Sequence, residues 1–389
     1  MTISNKVRLL DSHGNPYSYV VKGERSWSVP HKPVFNRRVF AAAHVVSDPA
    51  RMQNPLTDKA IDWDATLEYR RHLMSLGFGV AEAMDTAQRG MGLDWATSLQ
   101  LIQRSVEQAK DFPGMRVASG AGTDHLTDFS GLTVDDVIAA YELQIAAIEA
   151  CGGSIILMAS RALAAIAKGP EDYIRVYDTV LRQVKQPVIL HWLGDMFDPA
   201  LRGYWGEEQI HSAMEICLAV IRNNEAKIDG IKISLLDKDR EIEMRRQLPA
   251  SVKMYTGDDF NYPELIAGDS QGYSHALLGI LDAIAPAAAA ALHALAQGDK
   301  DRYHQILAPG LPLARHIFAS PTQYYKSGIV FLAWLNGHQR HFTMLGGMQS
   351  ARSLTHYCEL FRLADEAGLL ENVDVASERI WLLAKLHGI

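Results

Sequence analysis

Lys232 is the side chain best placed to do chemistry. It sits near the C-terminal end of an apolar run, residues 226–234, whose core reads Gly230-Ile231-Lys232-Ile233-Ser234. Burial disfavours an ammonium group and lowers its pKa. The neutral amine that results can condense with a ketone or aldehyde, and the imine then acts as an electron sink while a carbon–carbon bond is made or broken. The plainer role for such a lysine is to reach solvent along its own stem or to pair with a carboxylate. A second apolar run, residues 252–255, follows and closes on Thr256-Gly257-Asp258-Asp259.

Other side chains at the ends of apolar runs could complete a site. His191 ends the run 187–192 and could act as general acid or base. Tyr255 is a candidate proton relay. Arg161 could grip an anionic group of a substrate in bidentate fashion, with Ser160 beside it. Asp85, Thr86, Asp259 and Ser274 are candidates for binding substrate hydroxyls. Asp258 and Asp259 could equally hold their own turn together, since turn aspartates bond to nearby backbone. His44, Asp85, His191, Asp258 and His275 form an alternative set, because imidazoles and carboxylates bind divalent Zn or Mn in barrel isomerases, epimerases and class II aldolases. No compact His-Glu-x-x-His motif supports that second reading, and scattered histidines are expected among 15.

These residues need a scaffold that brings strand ends together. Strand-like runs at 38–46, 78–84, 115–119, 154–158, 187–192, 226–234, 252–255 and 272–275 alternate with amphipathic helical stretches. Strands separated by helices imply parallel βαβ units. Eight in succession predict an α/β fold, a (β/α)8 TIM barrel whose site lies at the C-terminal ends of the strands. No Gly-x-Gly-x-x-Gly follows the first strand, which argues against a dinucleotide-binding sheet. Residues 1–37 read as an N-terminal arm or hairpin against the barrel, 38–298 as the barrel, and 299–389 as a helical C-terminal subdomain.

With 48% hydrophobic residues among 389, the chain can bury a large core. A net charge of -7 supplies no basic footprint for nucleic acid or an anionic membrane. Cys151, Cys217 and Cys358 are far apart and suggest neither a disulfide framework nor a metal motif. The N-terminus has no apolar signal core, and no run approaches membrane-spanning length. A cytoplasmic enzyme acting on a small molecule is the expectation.

The order of these motifs resembles the dihydrodipicolinate synthase and N-acetylneuraminate lyase family of Schiff-base aldolases. The resemblance covers about residues 38–360. It rests on Ile61-Asp62-Trp63-Asp64, Gly230-Ile231-Lys232, Thr256-Gly257-Asp258-Asp259, Ala285-Pro286, Gly298-Asp299 and Tyr325-Lys326-Ser327-Gly328. It implies a TIM barrel with an imine-forming lysine on the sixth strand, no cofactor beyond that covalent Lys232 imine, and a homo-oligomer, dimer or tetramer. Tyr324, Tyr325, Phe331 and Trp334 in the helical tail could serve assembly or pack inside the subunit.

Departures from the family pattern fall at the site. Its carboxylate-gripping Gly-Thr-Thr-Gly-Glu turn is here Met84-Asp85-Thr86-Ala87-Gln88. Asp85 would repel a bare pyruvate carboxylate unless turned away or neutralised. The catalytic tyrosine after strand four is missing from Met158-Ala159-Ser160-Arg161, and a Tyr-Asn pair on strand five is replaced by His191-Trp192. The expected activity is therefore a lyase or aldolase acting on a hydroxylated 2-oxo acid or keto-sugar derivative. A non-catalytic ligand-binding member is a further alternative.

Overall fold

The computed structural model of the chain describes residues 6–389. Strands β1 (Lys6–Leu10) and β2 (Pro16–Val20) pair antiparallel, with Lys6 opposite Val20. The Asp11 carboxylate closes their turn by accepting the amides of His13 and Asn15. The hairpin lies on the C-terminal helices rather than on the barrel. Tyr19 Oη and the amides of Lys22 and Gly23 all donate to Asp365, in the helix Leu354–Glu366.

Eight parallel strands then close into a barrel: β3 (Val39–Ala42), β4 (Gly79–Glu82), β5 (Val117–Ala121), β6 (Ser154–Leu157), β7 (Val188–Leu193), β8 (Ile228–Ser234), β9 (Lys253–Thr256) and β10 (His275–Leu278). Closure is made by β10 against β3, with Ala276 opposite Val39. Helices cover the outer face and side chains fill the inside, so most strands are buried on both faces and read as continuous apolar runs. Phe40, Ala42, Ala81, Ala118, Ile156, Ile189, Tyr255 and Leu277 fill the interior.

Two strands differ most from the sequence reading. The first stops at Ala42 because the Asp282 carboxylate takes the His44 amide at 2.8 Å, ending the ladder. The eighth begins only at His275. Asp269 accepts the amides of Gln271 and Gly272, so residues 269–272 form a turn and the buried Ala276-Leu277-Leu278 run carries the pairing.

The helices start where short polar side chains can cap them. Asp62 caps Trp63–Ser75. Thr133 and Asp136 form a capping box at Val134–Ala150. Arg70 on the first of these helices meets Glu82 at the end of β4 in a wholly buried bidentate pair, and Ser105 Oγ donates to the same carboxylate.

The tail helix Tyr325–Leu335 is buried at all 11 positions. A helix buried on every face belongs inside the protein, so Tyr325, Phe331 and Trp334 pack within the subunit rather than on an assembly surface. Among the described residues no helix is long and apolar enough to cross a membrane.

Candidate active site

Register fixes where Lys232 points. It pairs with His191 on β7 and Tyr255 on β9, so all three project to the same side of the sheet. Tyr255 packs among the interior residues, which places Lys232 inside the barrel and above them, toward the C-terminal mouth. The neighbouring strand comes close enough that only glycine fits at 257. A Cβ there would stand 2.3 Å from Ser234 Oγ and 2.8 Å from Lys232 Cε.

Lys232 is 8% exposed, and among the described residues its amine has neither a hydrogen-bond acceptor nor an ion-pair partner within bonding distance. Burial pushes the ammonium down from its ordinary pKa, while the Asp259 and Asp85 carboxylates oppose that shift. Asp259 responds in the opposite sense: burial pushes its carboxyl up to about 7, though the Ile280 amide donates to Oδ1 and Lys232 pulls it down. His191 is held neutral by burial and by the nearby lysine. Its Nε2 lies 3.3 Å from Ser234 Oγ, and its Nδ1 is buried without a partner.

Asp85 begins a single 3-10 turn after β4, reached through Ala83 at a left-handed φ of 52°. It does not turn away from the mouth: it lines a cavity of about 480 Å³ between the loops that follow β4, β5, β6 and β7. Lys232 is not on that cavity's wall; Asp85 both lines it and lies near the amine. A second buried lysine, Lys326 of the tail helix, also feels the Asp85 charge, and its amine donates to the Gln323 carbonyl at 2.9 Å. Flanking lysines therefore offset the negative charge that the sequence alone set against a substrate carboxylate. Thr86 meets a group that sequence reasoning assigned no catalytic part: its hydroxyl is 2.8 Å from that of Tyr325. Burial and the charges of Asp85 and Asp259 raise the Tyr325 phenol, keeping it protonated. Phe318 stacks on its ring at 4.4 Å.

On the cavity wall Arg161 donates through Nε to Asp198, while one of its terminal nitrogens lies against Gly90. Arg89, also lining the cavity, is consumed structurally by Asp124, Gln144 and the carbonyls of Ala83 and Gly120. Ser160 is occupied as well. Its hydroxyl meets Thr123 at 2.6 Å and caps the helix Arg161–Ile166.

Several anticipated residues are not brought to the amine. Tyr255 donates to Asp229 at 2.7 Å, at the opposite, N-terminal end of the barrel. Ser274 lies beneath a helix, donating to Glu241 at 2.7 Å. His275 Nδ1 accepts the Arg38 amide at the barrel floor. Asp258 holds its own turn through Phe260 and Asn261. His44 is tied through Nδ1 to Asp282 at 2.9 Å. The alternative metal set His44, Asp85, His191, Asp258 and His275 is thus spread over both barrel ends. Among the described residues the three-ligand cluster is a different one, His72, His338 and Glu371.

A closed barrel of eight parallel strands with a helical C-terminal extension is the architecture of an α/β barrel built like dihydrodipicolinate synthase. Solved structures bear this out for the fold. Dihydrodipicolinate synthase from Aquifex aeolicus is 14% identical, with a TM-score of 0.62 over 86% of this chain and 100% of that one. YagE, a prophage protein of the dihydrodipicolinic acid synthase family from E. coli K12 in complex with pyruvate, is 14% identical, with a TM-score of 0.65 over 86% and 100%. The Thermotoga maritima enzyme gives 14% and 0.61 over 87% and 100%. By sequence the chain belongs to the family described as Protein of unknown function (DUF993), which matches residues 7–389. No curated protein matches it.

Proposed function

We propose that this protein is a carbon–carbon lyase or aldolase that works through an imine on Lys232, with a hydroxylated 2-oxo acid or keto-sugar derivative as substrate. The observation that carries the reading is an unpaired amine buried at the barrel mouth beside a carboxyl raised to about 7. In so dry a place the charged forms of both groups are disfavoured, and a proton passed from the ammonium to the carboxylate leaves a neutral amine and a neutral acid.

The amine adds to the substrate's C2 carbonyl. Asp259 gives its proton to the departing water, and an iminium forms. The Asp85 carboxylate takes the proton of the C4 hydroxyl as the C3–C4 bond breaks, and that bond's electrons move into the iminium to give an enamine and an aldehyde. The proton returns to C3 through the Tyr325–Thr86 hydroxyl pair, and water hydrolyses the new iminium. A proton goes back to Asp259, and Lys232 and the shortened oxo acid are released. Tyr325 thus stands in, from the tail helix, for the tyrosine missing after the fourth barrel strand. The free face of Arg161 holds the anionic or hydroxylated far end of the substrate. Assembly as a dimer or tetramer belongs to the same proposal, and Trp381, Leu382 and Leu386 are exposed apolar side chains that could take part.

The test is reductive trapping. Incubation with borohydride and a panel of 2-oxo acids, pyruvate first because YagE was solved with it, should leave on Lys232 the mass of the oxo acid less one water plus two hydrogens, read by peptide mass spectrometry. Lys232→Ala should show no adduct, and turnover of any substrate found should fall by about 10⁴-fold or more. An adduct mapped to Lys326, or formed equally in the variant, would sink the reading.

A further inference from the structure

Three side chains from distant parts of the chain meet where the first barrel helix touches the C-terminal subdomain. His72 lies in the last turn of Trp63–Ser75, His338 in the turn after Tyr325–Leu335, and Glu371 just before Val373–Leu386. Each offers a ligand atom, and the three atoms lie within 4.8 Å of one another. We propose that His72, His338 and Glu371 bind a divalent first-row metal ion, zinc foremost, that clips the barrel to its C-terminal subdomain.

The chemistry of the donors is suitable. Two imidazoles and one carboxylate suit zinc, with water completing a tetrahedron. Donors about 2.0–2.1 Å from a tetrahedral zinc stand roughly 3.4 Å apart. His338 Nε2 and Glu371 Oε1 are hydrogen-bonded to each other at 3.0 Å, a contact the metal would replace at nearly the same spacing, so closing the set requires only a small swing of His72. That residue is the second observation pointing to a ligand, because its Nε2 is buried and has no hydrogen-bond partner.

The surroundings fix the donors without consuming them. Asn336 accepts the Glu371 amide at 3.0 Å and donates to the Leu369 carbonyl at 3.0 Å, which holds the two C-terminal segments side by side. Tyr69 packs against both imidazoles, with ring centroids 5.6 and 5.0 Å away, and spends its hydroxyl on the Asp282 carbonyl. The charged groups that reach the cluster are Arg25, bonded to the carbonyls of Gly368 and Leu370, and Asp282, bonded to His44. Neither carboxylate nor guanidinium fills the place of a metal. The cluster is separate from Lys232, and its chemistry does not depend on the imine.

The experiment uses the full chain freed of metal by chelation and titrated with zinc chloride. The expected result is one equivalent retained per chain through dialysis, with a higher melting temperature. Cobalt in place of zinc should give visible absorption of tetrahedral intensity. His72→Gln, His338→Gln and Glu371→Gln should each weaken binding by more than the roughly 10–100-fold typical of losing an outer-shell partner. Retention of zinc at unchanged affinity in those variants, or no stoichiometric binding by the parent, overturns the site. Should a variant fail to fold, an anomalous difference map at the zinc edge on crystals of the parent decides it. A peak among the three side chains supports the site, and a peak elsewhere or none refutes it.

Discussion

The two ends of the barrel use the same residue types to opposite effect. At the floor, Asp229 accepts from Arg38 at 2.7 Å, Lys253 at 3.0 Å and Tyr255 at 2.7 Å, and His275 accepts the Arg38 amide. Every charge there has a partner, and Asp229 is held below the usual carboxylate range by its hydrogen bonds and neighbouring cations. At the mouth, a lysine, an aspartate, a tyrosine and a histidine meet again, but the amine is unpaired, the carboxyl is raised and one imidazole nitrogen has no partner. A saturated network fixes structure. An unsaturated one stores chemical potential for a ligand to use, at the expense of stability.

That contrast can be broken by experiment. The largest stability effect is expected at the floor. Asp229→Ala leaves two cations and a phenol without their acceptor and should destabilise the fold by about 3 kcal/mol, read by urea denaturation, while trapping at Lys232 survives. Loss of trapping there, with the fold intact, would mean the floor network also tunes the amine. At the mouth the sign reverses. Lys232→Met removes a buried amine that has no hydrogen-bond partner and should raise stability by about 1 kcal/mol while abolishing the adduct; a destabilised variant would mean that the lysine is held by interactions of the floor's kind.

The smallest effect is a pH dependence. The Asp259 carboxyl is raised in the folded state from 3.8 to about 7. Its contribution to stability is therefore fully present below about 4 and is lost as pH rises through about 7. Asp259→Asn should flatten the fall in stability between those limits, seen as a smaller drop in melting temperature from pH 5 to pH 8. An unchanged drop would place the titration on another group.

Much of the site was readable from local pattern. Lys232 in its apolar run, the Thr256-Gly257-Asp258-Asp259 turn and the alternation of strands with helices all lead to a parallel barrel with a mouth lysine. Tyr255 and Tyr325 show where local reading fails. Both are tyrosines in apolar segments, and nothing nearby in sequence tells which hydroxyl reaches the mouth. The first is turned to the floor by Asp229, a partner 26 positions away, and the second is carried in by a helix 239 positions beyond Thr86. Ser160 was indistinguishable from a ligand-binding serine until its hydroxyl was found capping a helix.

The sequence by itself determined the barrel, its parallel order and the lysine at a strand end, because hydrophobic periodicity and strand register are properties of short segments. Only the tertiary structure decided which polar groups are satisfied: that Asp229 is shared three ways, that Lys232 is left alone, and that His72, His338 and Glu371 converge. The physical reason is that desolvation and hydrogen-bond partnering depend on everything surrounding an atom in space, and most of those surroundings come from far along the chain.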